Sequence, residues 1–206
     1  MLSSRVRATR KAFVWKSKVS GILIWVALFA GASPLLAWRD AIYITACFAG
    51  VISLGLLLVQ PLLIGGYLPG LHLQQARRAH RWIGAALVIA VVVHVGGLWI
   101  TSPPDVIDAL LFSSPTPFSN WGVIAMWAIF VTAVLALLRR RLQLRPRSWR
   151  IAHSLLVVVI VIGTVVHAVL IEGTMETFSK VALCGFVIAA TVMVMLKIIA
   201  VLKFKA

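Results

Sequence analysis

The stretch that decides the fold runs His80-Arg81-Trp82-Ile83-Gly84-Ala85-Ala86-Leu87-Val88-Ile89-Ala90-Val91-Val92-Val93-His94-Val95-Gly96-Gly97-Leu98-Trp99-Ile100. Between its two histidines it carries no charge after Arg81, and it is long enough to cross a hydrocarbon core as a helix. Helix is the default because lipid cannot satisfy an open backbone. Histidine inside such a span is expensive unless it has a partner or a task.

Five more apolar stretches flank this one, so the spans read 19–37, 41–64, 80–100, 121–138, 149–171 and 178–202. The composition agrees: of 206 residues 62% are hydrophobic and only 12% are charged. A soluble domain carries about 25% charged residues, and a disordered chain lacks the apolar content. The expectation is an all-α polytopic membrane protein, a six-transmembrane-helix bundle. Residues 1–18 form a basic tail, 19–202 the transmembrane domain and 203–206 the C-terminal end.

The net charge of +15 could suggest nucleic acid, but its distribution argues against that. Eighteen of the twenty basic residues fall in the N-terminal tail, the second and fourth loops with the helix starts beside them, and the C-terminal end. The other side holds only Arg39 and Lys180, with all five acids: Asp40, Asp105, Asp108, Glu172 and Glu176. By the positive-inside rule both termini are cytoplasmic. The basic side also suits anionic membrane lipid. Residues 19–37 admit a second reading, because a basic start, an apolar run and Ala30, Gly31 and Ala32 also fit a cleavable signal. The run is long for that, and an uncut helix is preferred. No internal repeat or interdomain linker is evident. Residues 101–120 carry Pro103, Pro104, Pro115 and Pro117, which oppose regular helix, with a short interfacial helix expected at 105–112.

The histidines carry the chemistry. His80 to His94 is fourteen residues, and His153 to His167 is also fourteen. Fourteen residues make nearly four turns, so both members of a pair share a face, about 21 Å apart along the axis. Spans three and five run in the same direction. If they face one another, His80 is level with His153 near the cytoplasmic surface, and His94 with His167 nearer the outer one. Imidazole is an axial ligand of heme iron, and one helix cannot reach both faces of a porphyrin. The spacing therefore points to two hemes, one possible at the least, held by His80/His153 and His94/His167. A proton or metal pathway and purely structural histidines are the competing readings. Gly84, Gly96, Gly97 and Gly163 would give room for the plates, and Arg77, Arg78, Arg81 and Arg150 could meet propionates. His72, in a loop after Pro69-Gly70, reads as a surface residue or a rim contact. Cys47 and Cys184 could form a disulfide but read better as small apolar side chains. No catalytic arrangement of nucleophile, base or paired carboxylates is present.

The segments Arg77-Arg78-Ala79-His80-Arg81-Trp82-Ile83-Gly84 with His94, and Trp149-Arg150-Ile151-Ala152-His153 with His167, resemble spans of the ferric reductase-like transmembrane family. That group includes ferric reductases, NADPH oxidases and the heme-binding membrane subunit of periplasmic methionine sulfoxide reductase systems. The resemblance implies b-type heme, a cytochrome b in all but name, with His80 and His153 on the inner heme and His94 and His167 on the outer. Ferric reductases and NADPH oxidases append a flavin- and nicotinamide-binding domain. Here no nucleotide-binding fingerprint is seen: Gly65-Gly66-Tyr67-Leu68-Pro69-Gly70 lacks the Lys-Ser/Thr of a phosphate loop. The short heme subunit is the closest match in size.

The functional expectation is an electron-transfer subunit of an oxidoreductase system in the plasma (bacterial inner) membrane, with no flavin or NAD site of its own. Its donor would be a cytosolic flavin reductase or a quinol. Its acceptor would be a periplasmic oxidoreductase, ferric iron or oxygen. A quinol-linked diheme cytochrome b is the nearest alternative, and a non-redox transporter or structural membrane protein the more distant one.

Overall fold

The computed structural model describes residues 39–68, 70–172 and 175–203, together with Ser20, Gly21 and Ile24. The expected tail at 1–18, the first span at 19–37 apart from those three positions, and residues 204–206 lie outside the described residues. Six helices follow in chain order: α1 (Ala41–Gly65), α2 (Leu73–Thr101), α3 (Pro103–Leu110), α4 (Pro117–Leu138), α5 (Pro146–Leu170) and α6 (Thr177–Lys203). No strand occurs among the described residues. All but α3 are long and apolar enough to cross a membrane, which gives five candidate spans among the described residues.

Two helices extend well past the apolar stretches that reveal them. The helix α2 begins at Leu73, seven residues before the apolar run. Hydropathy marks where lipid lies, not where a helix stops, and Gln74, Gln75, Arg77 and Arg78 are sound helix formers. The carboxamide of Gln75 accepts from the His72 backbone N–H at 3.2 Å, and so fixes the start of α2. At the far end of α1, Gly66 adopts φ 75°, a conformation open to glycine. Tyr67 N then donates to Leu62 O and Gly66 N to Leu63 O, a Schellman closure. Lys197 Nζ adds a bond to Gly65 O at 3.0 Å.

The prolines correct the sequence reading. Pro103, Pro117 and Pro146 each occupy the first helical position, where the missing N–H has no ladder partner to lose. They begin helices instead of opposing them. The short helix expected at 105–112 is α3, starting two residues earlier.

The bundle consists of two close hairpins, α1–α2 and α4–α5, with α6 packed on α1 and α5 and α3 bridging the far ends of α2 and α4. Its core joins Leu54, Leu57 and Leu58 of α1 to Leu87, Val91, Met126, Ile129, Ile160 and Val187. Many large apolar side chains face outward, among them Trp82, Ile89, Leu155, Ile162, Phe186 and Leu196. In water such a surface would aggregate; in a bilayer it is the lipid face. Hydroxyls within the spans bond to their own helix, as Ser53 Oγ to Ala49 O and Thr132 Oγ1 to Ala128 O do. The chain is a multi-pass integral membrane protein.

Candidate functional site

The helices α2 and α5 make no extended contact with one another; each packs on the other helix of its own hairpin. Across the gap between them the histidines face in pairs. The ring centroids of His80 and His153 are 6.2 Å apart with planes at 80°. Those of His94 and His167 are 6.4 Å apart with planes at 77°. The two pairs are thus nearly identical in separation and in angle.

At the end of the bundle away from the arginines, both rings are fixed by backbone. His94 Nδ1 lies 2.8 Å from Ala46 O on α1, and His167 Nδ1 lies 2.8 Å from Phe118 O on α4. A carbonyl only accepts, so Nδ1 carries the proton. The lone pair of a neutral ring is then on Nε2.

Each ring reaches its carbonyl because glycine clears the way. A Cβ on Gly50 would stand 2.9 Å from His94 Nδ1, and one on Gly122 would stand 2.7 Å from His167 Nδ1. In both cases the glycine sits four residues beyond the carbonyl used, so its own N–H shares that oxygen in the helical ladder. Of the glycines nominated from sequence, Gly97 and Gly163 serve helix crossing instead. A Cβ on Gly97 would meet the Ala46 side chain at 2.6 Å, and one on Gly163 would meet Trp121 O at 3.0 Å. Gly84 backs onto Gln60, and Gly96 opens onto free space.

This matched construction has a counterpart in the sequence. Arg77-Arg78-Ala79-His80 and Val92-Val93-His94 stand against Arg150-Ile151-Ala152-His153 and Val165-Val166-His167, 73 residues on. Gly50 and Gly122 are similarly related, 72 residues apart. The small residues Gly50 and Gly122 were not singled out from sequence. Their distances upstream of His94 and His167, 44 and 45 residues, are the signal that marks them.

The pair at the arginine-rich end is held differently. The Gln60 carboxamide lies against Nδ1 of His80 and 3.2 Å from the His80 carbonyl oxygen. Its nitrogen donates to both, and its oxygen accepts from Gly84 N at 2.9 Å, so Nδ1 of His80 is the acceptor. His153 stacks on Trp149 one turn earlier, with centroids 5.2 Å apart and planes at 19°, while its buried Nδ1 has no partner. The guanidinium of Arg139 covers the Trp149 ring at 5.3 Å.

The remaining candidates stand apart. His72 is exposed at the start of α2. Arg77, Arg78 and Arg81 are exposed, and Arg150 turns back so that Nε donates to Pro146 O at 3.3 Å. Cys47 and Cys184 are buried free thiols, so the disulfide is not formed. Among the described residues no cluster of three or more His, Cys, Asp or Glu could hold a bare metal ion.

The bundle thus opposes imidazoles in two pairs across one gap. Residues 46–164 match the family described as ferric reductase like transmembrane component, more than half of the chain, and the protein belongs to that family. The match takes in His80, His94 and His153 and ends three residues before His167. No curated protein and no solved structure matches the chain.

Proposed function

We propose that this protein is a heme b-binding membrane subunit that carries electrons from a cytosolic flavoprotein to an acceptor on the periplasmic side of the bacterial inner membrane. The observation that carries this reading is the centroid separation of 6.2 and 6.4 Å. An imidazole nitrogen sits about 2.0–2.1 Å from a first-row metal. A five-membered ring with ~1.33 Å C–N bonds places its centroid about 1.1 Å from that nitrogen. Two rings clamping one metal in line then stand about 6.3 Å apart. Two rings sharing an in-line hydrogen bond of about 2.9 Å would stand only about 5.1 Å apart. Both observed separations match the first of these distances and exceed the second.

The chain's own groups prepare this role. Ala46 O and Phe118 O hold His94 and His167 with Nε2 free, and a hydrogen bond of that kind also raises ligand basicity. At His80 the Gln60 nitrogen faces Nδ1 instead, so that ring is not held in the same way. Heme held by His80 with His153 and by His94 with His167 would supply one-electron transfer and leave oxygen no direct place on the metal. The apolar helices exclude water around the path. The heme-binding subunit of periplasmic methionine sulfoxide reductase systems is the type this reading favours, with ferric iron and oxygen as the other acceptors.

The test uses purified protein from heme-replete cells in quinone-free detergent. A sharp low-spin b-type spectrum, reduced on addition of a flavin reductase with its nicotinamide donor, supports the reading. A colourless protein contradicts it outright, and reduction only by quinol overturns the flavoprotein donor.

A further inference from the structure

Lys180 is the only charged side chain among the buried residues described, with 6% of its surface exposed. It lies in the first turn of α6, and its Nζ donates to Ile171 O at 2.6 Å. Ile171 follows the end of α5, and its N–H bonds to His167 O at 3.1 Å. The ammonium therefore stands about one helical turn beyond the His94/His167 pair.

No carboxylate neutralises it. All five acids of the chain are among the described residues, and none pairs with Lys180. The nearest in sequence, Glu176, spends both oxygens on Phe178 N, Ser179 N and the Ser179 hydroxyl. The Ile171 carbonyl offers only a partial charge at a helix C-terminus, short of a full counter-ion. A buried, uncompensated cation is costly in an apolar surround. Such a charge is also weakly screened there, so it acts strongly on any charge that arrives nearby.

We propose that Lys180 is a positioning charge that raises the reduction potential of the heme at the His94/His167 site relative to the one at His80/His153. The proposal rests on the heme reading above. An electron reaching the outer site is stabilised by the ammonium beside it. The inner site lies about 21 Å further along the axis and feels far less. The difference draws electrons outward.

The experiment is a potentiometric titration of the holoprotein, followed optically, for wild type, Lys180→Met and Lys180→Arg. Methionine keeps the bulk and removes the charge; arginine keeps the charge. The expected result is a lower midpoint for the outer heme in Lys180→Met, an unmoved inner midpoint, and recovery of the outer value in Lys180→Arg. Loss of the Ile171 bond alone would lower thermal stability without moving one midpoint against the other. Two hemes with unchanged midpoints in Lys180→Met overturn the inference and leave the heme reading standing. A wild-type protein without heme overturns both.

Discussion

The imidazole of His94 occupies the volume that a side chain on Gly50 would fill: a Cβ there would stand 2.9 Å from Nδ1 and 3.0 Å from Cε1. Gly122 and His167 stand in the same relation, at 2.7 and 2.9 Å. The glycines thus set how closely each ring approaches its carbonyl, and so where Nε2 points.

Gly50→Val and Gly122→Val should each push the ring off its carbonyl and empty one site, leaving about half of the wild-type heme, since orienting partners of a ligand matter nearly as much as the ligand. Gly185→Ala is the control, because a Cβ there meets nothing within 4 Å. Pyridine hemochrome counts on the purified variants check this. Full heme in Gly50→Val would remove the proposed role of the glycine.

The near-perpendicular ring planes, 80° and 77°, have a spectroscopic consequence. Perpendicular imidazoles donate equally into two iron d orbitals and leave them almost degenerate. Low-temperature electron paramagnetic resonance of the oxidised protein should show strongly anisotropic low-spin signals with a large gmax. A rhombic signal of the coplanar kind would mean that the rings turn when heme is bound.

Much of this was legible in the sequence, and the reasons are physical. Apolar runs report lipid contact directly, so five spans emerge close to the helices observed. A fourteen-residue spacing is nearly a whole number of turns, so the shared face of His80 and His94 followed from helix geometry alone. The carbonyl partners were not legible, because backbone oxygens carry no sequence identity and Ala46 and Phe118 lie on other helices. The stack of Trp149 on His153 was hidden for a different reason: a tryptophan near a span end ordinarily reads as part of the interfacial belt.

Outside the spans, Glu176 caps the start of α6. The backbone N–H groups of Ser179 and Phe178, with help from the Ser179 hydroxyl, hold its carboxyl below the usual carboxylate range. A depressed folded-state value contributes stability above the unfolded value of about 4.3, and that stability is lost as pH falls through the folded value. In detergent, wild type should therefore melt above Glu176→Gln at pH 6–7, with the gap closing as the pH drops below about 4. A gap that does not change with pH would remove the charge from the explanation.

The most direct test of the central claim counts hemes per chain in paired histidine variants. Two histidines that clamp one iron fail together. His94→Ala/His167→Ala should therefore keep the same single heme as either single variant, and His80→Ala/His153→Ala should keep only the other. The crossed variant His80→Ala/His167→Ala should bind none. Two hemes retained in His94→Ala/His167→Ala, or one retained in the crossed variant, would contradict the pairing across the gap between α2 and α5.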